Sequence, residues 1–343
     1  MERVRLTEFG WEHSLVTETM LELPHPTGQQ VLIDVEACGI CHLDLITREG
    51  RLPFVPLPVT LGHEAVGRIT KIGDDVSEFS VGDRVGTLYR ETCGECSQCT
   101  VGDESLCEAA SHVLGVLADG GYASQLLMPQ SGLFRVPESL PPEHAAQLHC
   151  PMGTTYRDLK VLAGVRRGQR VLVTGANGGC GAAGVQIASR LGAEVIAVVR
   201  DSRHVESLLS LGASRVVVDP GSTFHKNPAA LAIDVVLDTV GPPTFNSSLR
   251  CLRRGGTLVV IGNVDPERVS VNLGYLVTSA IRVIGGSGAT RAEVEELCAL
   301  HEESPFQFLV ASVFPFSEAD QAQRKVKAGG LCGRVVLVPS PTA

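Results

Sequence analysis

Aromatic side chains make up only 4% of this 343-residue chain. Positive charge is in deficit: 29 Lys and Arg stand against 38 Asp and Glu, a formal net charge of −9. A duplex-binding surface needs a basic face to neutralise phosphates, and a single-strand platform needs rings on which bases stack. With neither, no nucleic-acid partner is expected. There is no uninterrupted apolar run of about 18 residues that could span a bilayer, so no membrane partner is expected either. Met1 is followed by Glu2-Arg3-Val4-Arg5 rather than by the apolar stretch of a secretion signal, and the cytoplasm is the expected location. Internal repeats and low-complexity tracts are also missing.

What is present is a chain longer than one hydrophobic core usually covers, so two domains are the natural expectation. Its 44% hydrophobic and 20% charged content is ordinary for a globular protein. Eleven cysteines stand out. Without a secretion signal they do not read as a disulfide framework, and clustered cysteines in a reducing compartment more often hold metal.

The first part reads as β-rich, with strands at 31–37 and 64–69 and a turn entering a strand at 81–85. Pro53, Pro56, Pro58, Gly62, Gly73 and Gly82 punctuate it, and no long helical period appears before about residue 140. The character then changes. Strands are expected at 170–174, 195–199, 215–218, 234–237, 257–261 and 281–284, with helices at 182–191, 202–211 and 245–252. A helix at 291–302 and a strand at 334–338 close the chain. Strand and helix alternating at short spacing argue for βαβ units and a doubly wound α/β parallel sheet.

Between the strand at 170–174 and its helix lies Thr174-Gly175-Ala176-Asn177-Gly178-Gly179-Cys180-Gly181. Glycines there let the backbone approach a pyrophosphate, and the helix N-terminus offers free N–H groups and positive dipole. A Rossmann dinucleotide site is therefore expected on Gly175, Asn177, Gly178, Gly179, Cys180 and Gly181. An NAD site places an acid about 20 residues beyond the glycines to bind the ribose 2′-OH. The second strand instead ends Val198-Val199-Arg200, with Ser202 and Arg203 following, a set that suits a 2′-phosphate. Asp201 argues the other way. On balance NADP(H) is favoured over NAD(H), with Arg200, Ser202 and Arg203 at the phosphate.

Cys93, Cys96, Cys99 and Cys107, spaced by two, two and seven residues, offer four thiolates on a lobe at about 90–110. Four sulfurs with no open position make a closed tetrahedral site, read as structural zinc, with an iron–sulfur cluster as the rival. A second set is dispersed. Cys41 lies in Cys38-Gly39-Ile40-Cys41-His42-Leu43-Asp44, His63 and Glu64 in Gly62-His63-Glu64-Ala65-Val66-Gly67, and Cys150 in His149-Cys150-Pro151-Met152-Gly153-Thr154-Thr155-Tyr156.

On these segments, the four-cysteine lobe and the glycine turn, the chain resembles the zinc-containing medium-chain dehydrogenases and reductases, the family of the alcohol dehydrogenases, from about Val4 to Val338. The resemblance implies a GroES-like catalytic domain at 1–148, a Rossmann domain at 149–288 and a return to the catalytic domain at 289–343. It implies two zinc ions per chain. The catalytic one would be held by Cys41, His63 and Cys150, with Glu64 as alternate ligand and Asp44 holding the free nitrogen of His63. It further implies His42 at cofactor phosphate, Thr154 at the nicotinamide and Arg334 at the pyrophosphate. A small-molecule substrate and a homodimer or homotetramer, paired at a sheet edge near 281–284, are implied as well.

One position departs from the family. Its usual proton donor is a Ser or Thr two residues after the first zinc cysteine, backed by a nearby His; here that residue is Leu43, and no His follows among Leu45, Ile46 and Thr47. Hydride addition to a C=C conjugated with a carbonyl needs no donor at oxygen, because the enolate takes its proton at carbon. Leu237-Asp238-Thr239-Val240-Gly241-Pro242-Pro243-Thr244-Phe245, Ile261-Gly262-Asn263-Val264-Asp265-Pro266 and Asn272-Leu273-Gly274-Tyr275 are similar to the acryloyl-CoA reductase branch, which would put Thr239, Val240, Gly262 and Asn263 in loops at the nicotinamide. NADPH-dependent reduction of an activated C=C is thus the leading expectation. Alcohol–aldehyde or alcohol–ketone chemistry is the alternative, and a non-catalytic NADPH-binding protein the remote one.

Overall fold

The computed structural model describes residues 1–109 and 112–341. The chain folds as two units: Met1–Gly153 with Gly288–Pro305 and Val310–Ala343, and Thr154–Ser287 with Phe306–Leu309. The split thus falls after Gly153, five residues beyond the expected end of the first domain, and Cys150 stays with the unit that carries Cys41 and His63. Residues 306–309 also return to the second unit, a crossing the sequence pattern did not suggest.

The first unit is built on a seven-stranded sheet that runs Val310–Pro315, Arg334–Val338, Gln30–Gly39, Glu64–Ile72, Arg84–Thr87 and Leu133–Arg135, with Gln125–Pro129 also paired to Gln30–Gly39. A smaller sheet joins Leu15–Thr19, Glu2–Leu6 and Val59–Thr60. One register matters for the site. Gly39 pairs with Glu64 and Cys38 with Ala65, while Val336 and Leu337 pair with the same Gly39 and Cys38 from the other side. The end of one strand therefore has the His63-Glu64 segment on one flank and the C-terminal strand on the other. Gly39 has to be glycine, since a Cβ there would lie 2.1 Å from Oε2 of Glu64.

The second unit carries a parallel six-stranded sheet in the order Arg215–Val218, Glu194–Val199, Arg170–Val173, Ile233–Asp238, Leu252–Val260, Arg282–Gly285. Numbered along the chain this order is 3-2-1-4-5-6, the doubly wound arrangement in which dinucleotides bind where the order reverses. Val171, Leu172, Val173, Val195, Ile196 and Ala197 are all fully buried. Such unbroken apolar runs mark strands covered by helices on both faces.

Several elements differ from the sequence reading. The helix expected from Phe245 begins three residues earlier, at Pro242, because proline at the first helical position wastes no hydrogen bond. The helices Leu273–Ser279 and Ala319–Ala328 and the strand Val310–Pro315 were not foreseen. Ala319–Ala328 buries only Ala319, Ala322 and Gln323, a stripe too short and too polar to read as an apolar face. Among the described residues no helix is long and apolar enough to cross a membrane.

Candidate active site

Each member of the dispersed metal set is delivered by a different local device. Cys41 caps the helix His42–Arg48, and its N–H donates to Oδ2 of Asp44 at 2.8 Å, one half of a capping box. Gly62 turns the chain into His63 with φ +93. Cys150 lies in a widened helical turn, Leu148–Gly153. Pro151 explains the widening. Its ring would clash with the carbonyl four residues back and it has no N–H to offer. That carbonyl, Gln147 O, instead accepts from Met152 N, five residues on, at 3.1 Å.

The ligand atoms of Cys41, His63, Glu64 and Cys150 all lie within 4.8 Å of one another. The two sulfurs stand 3.9 Å apart, close to the roughly 3.8 Å that tetrahedral zinc with Zn–S bonds of about 2.3 Å would impose. Two thiols and an imidazole with one further position suit a catalytic zinc, so the donor chemistry fits the metal. Nδ1 of His63 lies 3.5 Å from Oδ1 of buried Asp44, close contact without a well-aligned hydrogen bond. Nε2 is 3.8 Å from Oε1 of Glu64.

Arg334 lies at this set. Expected at a pyrophosphate, its guanidinium is buried and donates to both oxygens of Glu64, from Nε to Oε2 at 2.8 Å and from Nη2 to Oε1, while Nη2 also reaches the Cys150 sulfur at 3.6 Å. The C-terminal strand delivers it there through its pairing with Gly39. Glu64 can thus join a metal's shell only by sharing its oxygens with that guanidinium.

The electrostatics follow from burial and crowding. A hydrogen bond with Cys150 outweighs burial and, with His63, holds the Cys41 thiol well below its ordinary range. Burial opposes charge on His63, yet Asp44 and Cys41 overcome it and push the ring well above its usual value. Burial lifts the Glu64 carboxyl against the pull of Arg334. His149 is driven down to about 3 by burial and by His63, so it stays neutral. A thiolate beside an imidazolium is what a ligand set presents before a cation displaces the proton.

Cys93, Cys96, Cys99 and Cys107 also converge within 4.8 Å, with the Cys93 and Cys99 sulfurs 3.9 Å apart. Backbone N–H groups already point at these sulfurs, Cys96 N to Cys93 at 3.3 Å and Cys93 N to Cys107 at 3.4 Å. The backbone N–H of Cys99 leads in pulling Cys96 down to about 6. Four sulfurs and no open position fit a structural zinc.

In the second unit the glycine turn sits as the motif requires. Gly178 caps the helix Gly179–Arg190. Gly175 has φ +55, and a Cβ on Gly181 would lie 2.2 Å from the Gly175 carbonyl oxygen. Asn177, Gly179 and Cys180 are partly exposed along the same turn. Thr239 Oγ1 donates to Thr174 O at 2.7 Å, Val240 N to Asp238 Oδ1 at 3.0 Å, and Val264 N to Val240 O at 3.1 Å, binding the loops after the fourth and fifth strands. A Cβ on Gly262 would lie 2.0 Å from the Thr239 carbonyl carbon, and Asn263 follows it. Arg200, Ser202 and Arg203 are exposed at the end of the second strand. Arg203 is paired with Asp201 at 2.7 Å, and that pairing holds Asp201 down to about 2. His42 is partly buried beside Cys41, and Thr154 is the first residue of the second unit.

The sequence places Asp238 in a strand-end loop without its bonding role, and it misses Tyr89 and Tyr122. Fully buried Asp238 accepts from Thr174, Gly241, Thr244 and Ser248 as well as Val240, so one carboxylate fixes the whole strand-end loop. Tyr89 sets its ring edge-on to His63, centroids 5.4 Å apart. Tyr122 donates to Asp44 at 3.0 Å. Asp238 is legible as an acid ending an apolar strand three residues before a glycine. The two tyrosines carry no local signal.

Comparison with known proteins agrees with this picture. A family model described as the alcohol dehydrogenase GroES-like domain matches residues 27–138, and one described as zinc-binding dehydrogenase matches residues 179–303. An acryloyl-coenzyme A reductase of Sulfurisphaera tokodaii is 34% identical over 320 residues, covering 92% of this chain and 94% of that protein. An alcohol dehydrogenase of Geobacillus stearothermophilus is 34% identical over 323 residues, with the same 92% and 94% coverage. The crystal structure of AibC superposes with a TM-score of 0.91 at 37% identity, covering 99% of this chain and 96% of that one. Likeness of this depth over nearly the whole length makes the chain an oxidoreductase of the zinc-containing medium-chain dehydrogenase and reductase family, which holds acryloyl-coenzyme A reductases and alcohol dehydrogenases alike.

Proposed function

We propose that the chain reduces a C=C bond conjugated with a carbonyl, using NADPH in preference to NADH, on a substrate of the acryloyl-thioester or enal type. The observation that carries this reading is Leu43. It stands where a hydroxyl would deliver a proton to oxygen, and it packs against the apolar core of the first unit. The hydroxyl of Thr47, one helical turn on, is committed to the Leu43 carbonyl at 2.8 Å, and that of Thr87 donates to the His63 carbonyl at 3.1 Å.

Zinc bound by Cys41, His63 and Cys150 would supply Lewis acidity toward the substrate's carbonyl oxygen. Cys41 and Cys150 would bring negative charge to that set as bound thiolates, Asp44 faces Nδ1 of His63 at 3.5 Å, and Arg334 restrains Glu64. The first turn of the helix Gly179–Arg190 would offer its N–H groups to the cofactor's phosphates, since those of Ala176 and Gly178 already donate to Val198 and Gly175 carbonyls, and Arg200 would offer charge to a 2′-phosphate. The cofactor, when bound, would supply a hydride for the β-carbon; the C=C π pair would become the enolate, and the α-carbon would take its proton from solvent. Acryloyl-coenzyme A reductase relatives support the substrate type.

Carbonyl reduction is the second reading, favoured by the complete metal set and by the alcohol dehydrogenase relatives. It needs a proton donor, and Tyr89 against His63 is the hydroxyl to test first. A homodimer or homotetramer is expected, paired through the sheet edge at Arg282–Gly285, where Val283 is exposed. Light scattering at twice or four times 36.3 kDa would agree with it, and the mass of one chain would remove it. The test of function is a paired assay of an α,β-unsaturated aldehyde and its acyl thioester with NADPH and NADH separately, products identified by NMR. Saturated products formed faster with NADPH support the proposal, an unsaturated alcohol supports the second reading, and binding of NADPH without turnover would remove both.

A further inference from the structure

Behind the dispersed metal set, within the first unit, a chain of buried polar groups leads away from His63 to the surface. Asp44 faces Nδ1 of His63 at 3.5 Å through Oδ1, and its Oδ2 accepts the Tyr122 hydroxyl at 3.0 Å. Beyond the tyrosine lie Gln323 and Arg48, both fully buried. Arg48 Nη1 donates to Gln323 Oε1 at 3.2 Å, and Nη2 donates to Asp320, whose side chain is 46% exposed.

Two features single out Tyr122 in that chain. The first is packing. Gly62, the residue before His63, has no room for a side chain because a Cβ would lie 2.3 Å from the Tyr122 ring. The ring therefore braces the turn that presents His63. The second is the orientation of the amide. Arg48 has no acceptor to offer, so it fixes Oε1 of Gln323 toward itself, leaving Nε2 for the far side. Nε2 has no hydrogen-bond partner among the described residues, and the Gln323 amide is close enough to Tyr122 to favour the ionised hydroxyl, although burial and Asp44 together push it well up. The hydroxyl thus stays protonated and has one strong acceptor, Asp44.

We propose that Tyr122 is a positioning residue for the metal set: it holds Asp44, and through Asp44 the His63 ring, against the buried Gln323–Arg48 pair. It touches neither substrate nor metal. Asp44 also accepts from the backbone N–H groups of Cys41 at 2.8 Å and Gly62 at 3.3 Å. The Tyr122 hydroxyl is its side-chain tie, and a carboxylate held by the two backbone groups alone would orient His63 less firmly, so the ligand is lost more readily by its metal. The proposal rests on the reading of Cys41, His63 and Cys150 as a metal site.

The test uses the four-cysteine lobe of the same protein as an internal control. Zinc release from the full-length chain into excess chromophoric chelator is followed for wild type and Tyr122→Phe, and the two sites are distinguished by the d–d bands of the cobalt-substituted protein. Release from the dispersed set should be about tenfold faster in Tyr122→Phe, its cobalt band should shift, and the lobe should release at the wild-type rate. Gln323→Leu should move the same readouts by less, and carries the test should Tyr122→Phe fail to fold. Unchanged release and band at the dispersed set would overturn the proposal. So would equal acceleration at both sites, since that is plain destabilisation. A wild-type chain holding metal at the lobe alone would remove the metal-site reading, and the proposal with it.

Discussion

The two metal sets differ in how they are assembled and in what surrounds them. The four-cysteine lobe is complete between Cys93 and Cys107, lies near the surface, and has backbone N–H groups of its own turns pointing at the sulfurs of Cys93 and Cys107. The other set draws Cys41, His63 and Cys150 from three distant segments, is largely buried, and is surrounded by side chains: Asp44, Glu64, Arg334 and, further back, Tyr122. A site that only needs to stay closed can be built locally from its own backbone. A site that must leave a ligand position open needs its remaining ligands held from outside, and those partners come from across the fold.

The largest effects should come from breaking one set and sparing the other. Cys150→Ser should lower turnover by about a thousandfold or more, because Lewis acidity worth several kcal/mol is lost. Elemental analysis should still find one zinc per chain, with little change in Tm. Cys107→Ser should do the reverse, losing the lobe's zinc and several degrees of Tm. Equal losses of stability in the two variants would erase the distinction.

The comparison extends to the dinucleotide turn, which like the lobe is local and made of backbone. Gly181→Ala places a Cβ 2.2 Å from the Gly175 carbonyl oxygen and should weaken both NADPH and NADH about tenfold or more, with a fall in Tm. Arg200→Ala is the discriminating partner. It should raise the Kd for NADPH about tenfold and leave NADH unchanged, since the lost contact is to the 2′-phosphate alone. Equal change for both cofactors would argue against NADP(H) preference.

The smallest effect concerns the surface end of the buried polar chain. Burial raises the Asp320 carboxyl, but its bonds to Arg324 and Arg48 outweigh it and hold the pKa below the ordinary value. A depressed carboxylate adds stability above its unfolded pKa of about 4, and that stability is lost as pH falls through the lower folded value. With a 46% exposed side chain the gain should not exceed about 1 kcal/mol. The fall in Tm below about pH 4 should therefore be slightly shallower in Asp320→Asn than in wild type, and an identical profile would mean the pair contributes nothing.

Much of this molecule was legible before its structure. The four cysteines and the glycine turn lie in short stretches, so spacing alone reveals them. The parallel strands announce themselves because burial on both faces leaves continuous apolar runs such as Val171-Leu172-Val173. What stayed hidden is non-local or weakly patterned. Arg334 meets Glu64 only because the last strand pairs beside Gly39. Tyr122 and Gln323 are 201 positions apart along the chain yet share one buried neighbourhood, and no periodicity links them. The widened turn at Leu148–Gly153 depends on where the Gln147 carbonyl can go once Pro151 blocks it, which no local pattern announces.

The central claim, hydride delivery to carbon of an activated C=C, is tested most directly by isotope labelling of the product. Turnover of an acryloyl-type thioester with NADPH deuterated at the transferring position should place deuterium at the β-carbon, and turnover with unlabelled NADPH in D2O should place it at the α-carbon. Deuterium from the cofactor on the carbonyl carbon of an unsaturated alcohol, formed from the matching enal in preference to the saturated aldehyde, would contradict the account and return the role of proton donor to a side chain near Leu43.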